Sequence, residues 1–318
     1  MTLNPQVVTL IEKMKEAKIQ PTFTMSPADA RKQMDEMAKV RDKERTQVLS
    51  IEEFEIPGPD SNIRIRLYRP LEADAKALPI WVYFHGGGHV IGSLDSHDEV
   101  VRAFCAGAKC IMASVDYRLA PEYKFPAAIY DSYAATEWLF ENCEKLGADK
   151  SKFIVGGDSA GANIAAVMSI MARDNGGPSI LSQQLIYPVV DYSCESGSYE
   201  KFADGYGLLT KEGMLWFQNH YLRSSEDEND WRASPIKATR LASLPHTAII
   251  TAEYDVLHDE GVVFAKSLIS SGVSVEHMDW PGMIHGFVSL APYLDEGKAA
   301  ISYISDRINK HLKGLDRI

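Results

Sequence analysis

From Ile80 onward the chain repeats one pattern: a short apolar run, then a stretch with helical spacing. The runs are IWVYFH (80–85), IMASVD (111–116), FIVGG (153–157), QQLIYP (183–188), TAIITAE (247–253) and VSVEHM (273–278). Helical spacing lies near 98–107, 127–146, 160–174 and 259–271, and once more at about 292–313. Short apolar strands alternating with helices require a parallel sheet covered on both faces. Upstream the period changes. IEEFEI and IRIRLYRP alternate with period two around the turn signal PGPDSN and read as two joined strands. Before them, Val7, Val8, Leu10, Ile11 and Met14 share one face of a helix over residues 4–17. Ser26-Pro27 then reads as a cap with proline at the first helical position, opening a charged helix to about Lys43.

One segment breaks the alternation. Residues 189–245 hold no strand of this kind but carry Tyr199, Phe202, Tyr206, Trp216, Phe217 and Tyr221, then the acidic run SSEDENDW. That is too long for an ordinary connection. It reads as a helical insertion over the C-terminal edge of the sheet, where open α/β sheets bind ligands. The 318 residues, 45% of them hydrophobic, suffice for one large core with a smaller appendage.

The net charge of -11 argues against nucleic acid and anionic membrane as partners. Cys105, Cys110, Cys143 and Cys194 form no CxxC pair and no zinc spacing, so no metal site is expected. Scattered thiols in a chain this long fit a reduced, cytoplasmic protein. The N-terminal stretch lacks the basic start and apolar run of a signal peptide, and no segment has the length and apolarity of a membrane span.

The chemistry concentrates at FIVGGDSAGANIAAV, residues 153–167. Gly157-Asp158-Ser159-Ala160-Gly161 matches G-x-S-x-G between a strand and a helix. A serine in a glycine turn can simply cap a helix. In this setting the sharper reading is a nucleophile forced out at the tip of a strained turn, with helix N-terminal amides facing whatever it attacks. His85-Gly86-Gly87-Gly88 follows an earlier strand. Its glycines let backbone N–H groups face a ligand unobstructed, and with the Ala160 N–H they make an oxyanion hole. The rival, a dinucleotide loop, fails on spacing: Gly86, Gly88 and Gly92 read G-x-G-x-x-x-G, and two strands precede them.

A nucleophilic serine needs a base, and the base an orienting acid, in the order serine, acid, histidine. Among nine histidines, His285 in PGMIHGF alone combines that order with a glycine-bracketed loop after the last strand. For the acid, TAIITAEYDVLHDEG offers Glu253, Asp255, Asp259 and Glu260. Asp259 and Glu260 read as first-turn helix acids. Asp255, just past the strand, is preferred over Glu253.

The segments HGGGHVIGS, VDYRLAPEYKFPAAIYD, GGDSAGANIAA, AEYDVLHDEG and GMIHGF together resemble the hormone-sensitive-lipase-like branch of the α/β-hydrolases, especially its bacterial carboxylesterases. The resemblance spans about residues 50–310. It implies the α/β-hydrolase fold: a mostly parallel eight-stranded sheet with helices on both faces and a helical cap. The implied organisation is N-terminal cap helices over 1–48, core over 49–188, cap insertion over 189–245 and core again over 246–318. It carries the nucleophile to Ser159, the base to His285 and its partner to Asp255. It gives the oxyanion donors as Gly87, Gly88 and Ala160, with His85 holding the glycine loop and Gly86 shaping its turn. In DYRLAPE and FPAAIYD it implies loop-knitting roles.

Two departures stand out: His89 where the family often has an aromatic, and Asp255-Val256-Leu257 where it often has Asp-Pro-Leu. The expected activity is cofactor-free hydrolysis of short- to medium-chain carboxylic esters through an acyl-enzyme. The alternatives are an amidase or formamidase on the same triad, or a small-molecule receptor of the same fold. The expected partner is a small ester, and the last strand offers an edge for a homodimer.

Overall fold

The computed structural model describes residues 2–71, 77–204, 206 and 208–315. Eight strands form one sheet: β1 (Ser50–Ile56), β2 (Ile63–Arg69), β3 (Leu78–Phe84), β4 (Ile111–Asp116), β5 (Ala148–Asp158), β6 (Ser182–Ile186), β7 (His246–Tyr254) and β8 (Val275–Ile284). Their order is β1-β2-β4-β3-β5-β6-β7-β8. The β1–β2 and β2–β4 pairs are antiparallel, and every later pair is parallel. The fold is that of an α/β-hydrolase, mostly parallel and helix-covered on both faces. After β4 the chain crosses over β3 to form β5, so the order reverses at β3. Crevices form at such reversals, beyond the C-terminal ends of the strands.

Side-chain alternation along β3 divides the core. Ile80, Val82 and Phe84 face one layer, where α4 (Ala127–Glu141), α5 (Ala160–Asn175) and α8 (His258–Ser270) pack. Trp81 and Tyr83 face the other, against α3 (Asp98–Ala108) and α9 (Asp295–Leu315). The four cysteines are free and buried. Among the described residues no helix is long and apolar enough to cross a membrane.

Two short helices precede the sheet. In α1 (Pro5–Glu16), Asn4 accepts from the Gln6 N–H as the N-cap. In α2 (Pro27–Arg41), Ser26 accepts from the Asp29 N–H. Arg31 then docks α2. It donates to the carbonyls of Val90 and Ala120, at 2.8 and 2.7 Å, and forks onto Glu122. Between β6 and β7 lie α6 (Gly197–Lys201), α7 (Lys211–Tyr221) and the 3₁₀ turns Ser225–Asn229 and Pro235–Lys237, with no strand among the described residues.

Expected and observed elements differ most at three ends. Helix α4 stops at Glu141 rather than 146, because the Asn142 side chain donates to the Trp138 carbonyl and closes the last turn. Strand β5 begins at Ala148, through polar Asp149–Lys152, since pairing of Ala148 with Leu78 outweighs the missing apolar pattern. Strand β8 runs on to Ile284 through a register shift opposite Glu253.

On the surface, His258 lies 2.8 Å from Asp259 and 3.4 Å from Asp279. The Asp279 hydrogen bond, opposed by burial and helped by Asp259, raises its pKa from 6.5 to about 9. A raised folded-state value means the stabilisation is full below pH 6.5 and lost as pH rises through 9. Thermal melts should therefore show a loss on the order of 1–2 kcal/mol across that window, absent in His258→Gln. A melting temperature equally pH-dependent in both proteins would contradict this.

Candidate active site

The register of the sheet brings the relevant chain ends to one level. Phe84 pairs with Gly157 across β3 and β5, Asp158 with Ile186 across β5 and β6, and Tyr254 with Ile284 across β7 and β8. His85, Ser159, Asp255 and His285 therefore leave the sheet along the same rim.

Ser159 sits between β5 and α5 with φ +56° and ψ −118°, and its side chain makes no capping hydrogen bond. Such a backbone costs about 1–3 kcal/mol and needs enforcement by its surroundings. Its N–H donates to the Ile186 carbonyl at 2.8 Å. The flanking glycines allow the close approach, since a Cβ at Gly157 or Gly161 would overlap the Phe84 carbonyl oxygen. Ser159 Oγ lies 2.9 Å from His285 Nε2, and His285 Nδ1 lies 2.6 Å from Asp255 Oδ2. A carboxylate only accepts, so Nδ1 carries the proton and Nε2 is left to accept from the serine. Asp255 is 1% exposed and takes a second hydrogen bond from the Leu257 N–H. Glu253 points elsewhere, accepting from the Gly282 N–H at 2.8 Å.

The glycine run curls beside the serine. Gly87 and Gly88 have φ +114° and +60°, and the Gly87 carbonyl accepts from the Val90 and Ile91 N–H groups. The amides of Gly87, Gly88 and Ala160 have no protein acceptor among the described residues. His85 is fully buried. It donates through Nδ1 to the Gly86 carbonyl and stacks on Tyr117, whose hydroxyl donates to the His85 carbonyl. Burial pushes its pKa down to about 3, so the ring is neutral. Arg118 forks onto buried Asp131, tying the loop after β4 to α4.

Three contributions escape a reading of the sequence. Asp158, the variable residue of the serine motif, accepts from Gly86 N–H and the Tyr83 hydroxyl, with His97 Nε2 at 3.6 Å. Burial opposes its charge, but His97 and Tyr83 hold its pKa down at about 2. It thereby fastens the glycine loop to the serine turn. Glu260, expected as a helix-dipole acid, instead turns back and accepts from the Val190 and Asp191 N–H groups. Phe217 of α7 lies against Gly88, where a Cβ would overlap its ring. The signal for Asp158 was present: an acid at a turn too tight to be solvated must be satisfied internally.

A cavity of about 470 Å³ opens over Ser159 and His285. Its walls come from α1, α2, the turn between them and the segment around α7, including Met14, Phe23, Met34, Met37, Leu209, Met214 and Phe217. Among the described residues no group of three or more His, Cys, Asp or Glu side chains is placed to hold a metal ion.

Residues 81–289 match the family described as alpha/beta hydrolase fold. The chain belongs to the hormone-sensitive-lipase-like α/β-hydrolases. This hydrolase is 43% identical to the carboxylesterase NlhH of Mycobacterium tuberculosis, over 73% of each chain. It is 32% identical to an ethyl acetate hydrolase of Pseudomonas putida, over 98% of this chain and 100% of that one. Among solved structures, a hyperthermophilic esterase from the archaeon Pyrobaculum calidifontis superposes with a TM-score of 0.93 at 40% identity, covering 98% and 99% of the two chains.

Proposed function

We propose that this hydrolase is a serine carboxylesterase working through a covalent acyl-enzyme. The observation that carries the reading is the unbroken hydrogen-bonded chain Ser159–His285–Asp255 at the floor of an apolar cavity. His285 Nε2 takes the Ser159 proton as Oγ attacks the ester carbonyl carbon. The carbonyl oxygen gains the charge and is met by the Gly87, Gly88 and Ala160 amides, with the α5 N-terminus behind them. His285 then returns the proton to the leaving alcohol oxygen. Water, deprotonated by His285, releases the acid in a second pass. Asp255 keeps the Nδ1 proton in place and balances the imidazolium charge.

Residues 1–48 and 189–245 act in this reading as a cap, supplying the apolar walls. A cavity of about 470 Å³ with methionine-rich walls suits neutral esters of short to medium chain. The outer edge of β8 offers a strand for pairing with a second copy. A panel of p-nitrophenyl acetate, butyrate, hexanoate and laurate, run beside p-nitroacetanilide, tests the reading. Turnover should be high for the first three esters, much lower for laurate and negligible for the anilide. No turnover of any ester would sink the proposal, and preference for the anilide would make the enzyme an amidase.

A further inference from the structure

The residue that follows the glycine run is a histidine whose environment is unlike that of a space-filling side chain. His89 has φ +61°, the third consecutive residue in the left-handed region after Gly87 and Gly88. For a residue with a side chain that region costs roughly 1–2 kcal/mol, so the surroundings must hold it there. They do so at several points. The ring is fully buried and stacks on Tyr221, 3.9 Å between centroids and 7° between planes. Nδ1 lies 2.8 Å from the Tyr192 hydroxyl, and the His89 carbonyl accepts from the Ala120 N–H at 2.9 Å. Nε2 has no partner among the described residues. A phenyl ring would fill this space without an unpaired nitrogen, but it could not bond Tyr192.

Two of these contacts lead to α7, the stack directly and the Tyr192 bond at one remove. Tyr221 is its last residue, and Phe217, one turn earlier, lies against Gly88. Between them Gln218 donates through Nε2 to the Tyr192 carbonyl at 2.7 Å. The helix that walls the substrate cavity thus grips the glycine loop at Gly88 and His89, directly and through Tyr192. Burial pushes the His89 pKa down to about 3, so the ring serves as a neutral hydrogen-bonding strut.

We propose that His89 is a positioning residue: it fixes the Gly87 and Gly88 amides in the direction of the developing oxyanion and couples them to the α7 wall of the cavity. The inference rests on the serine-esterase reading above. Donors aimed at the transition state raise kcat more than they lower KM, and a displacement near 1 Å costs about 10²-fold.

The test compares wild type with His89→Ala, His89→Phe and His89→Asn, on p-nitrophenyl butyrate and on two inhibitors. One inhibitor is an aliphatic trifluoromethyl ketone, which forms a tetrahedral adduct on the serine. The other is the matching secondary alcohol, which only occupies the cavity. His89→Ala should lower kcat about 10–100-fold with KM changed less than about 3-fold. It should weaken the ketone by a similar factor and leave the alcohol unchanged. Asparagine tolerates the left-handed region and can accept from Tyr192, so His89→Asn should recover part of the loss. His89→Phe keeps the stack but not the bond and should fall between alanine and wild type. Thermal melts identify any variant that fails to fold, and the folded ones decide. Folded variants with unchanged kcat, or with ketone and alcohol weakened equally, would overturn the role given to His89. A wild type that hydrolyses no ester would instead overturn the esterase reading itself.

Discussion

Ser159→Ala should reduce kcat on p-nitrophenyl butyrate by about 10⁵–10⁶-fold while leaving KM within a few-fold of wild type. The size follows from the way the triad works as a unit: without Oγ there is no bond to the acyl carbon, and His285 has no proton to move. Binding should survive, because the cavity walls and the amides of Gly87, Gly88 and Ala160 remain. The fold should survive as well, since the Ser159 hydroxyl caps no helix and its one side-chain partner among the described residues is His285. Ser159→Gly sharpens the test. Glycine tolerates φ +56° without strain, so it should be as inactive as alanine yet melt at a higher temperature. The gap between the two melting points reports the strain held at the turn less the extra chain entropy that glycine brings to the unfolded state. A fluorophosphonate ester should add its mass to wild type at one residue and leave both variants unlabelled. Retention of activity or labelling in Ser159→Ala would remove Ser159 as the nucleophile.

The sheet was readable because its signals are local. Period-two runs, apolar β-branched runs and the Ser26-Pro27 cap each act within a few residues, and the strands and helices lie where those patterns put them. The differences arise where long-range pairing overrides local preference. Polar Asp149–Lys152 are drawn into β5 by Leu78, and β8 continues through Pro281-Gly282 because Tyr254 and Ile284 pair beyond the shift. Within the candidate site, chain order and loop context single out Ser159 and His285 and favour Asp255 over Glu253, and Ser159, Asp255 and His285 are the residues the structure brings into contact. The partners within the supporting shell were not readable, even where, as at Asp158, the need for an internal partner was. That Asp158 reaches back to Gly86, that Glu260 turns to Val190, and that Phe217 lies on Gly88 depend on approaches between segments far apart in sequence. No local pattern encodes such contacts.

The pair Glu253→Gln and Asp255→Asn separates two carboxylates that are nearly equivalent by sequence position alone. Asp255→Asn should lower kcat by about 10⁴-fold. An amide at this position can present N–H toward Nδ1, which favours the tautomer with its proton on Nε2, so the ring can no longer accept from Ser159. The charge that balances the imidazolium is lost at the same time, from a site 1% exposed where no solvent replaces it. Glu253→Gln should cost less than about 10-fold, because the amide oxygen can still accept from the Gly282 N–H. That bond steadies the segment leading to His285 without touching the ring. The two variants should also differ in kind: Glu253→Gln through a lower melting temperature and Asp255→Asn through kcat alone. If Glu253→Gln proved the more damaging to kcat, the 2.6 Å contact between Asp255 and His285 would not be the one that orients the base.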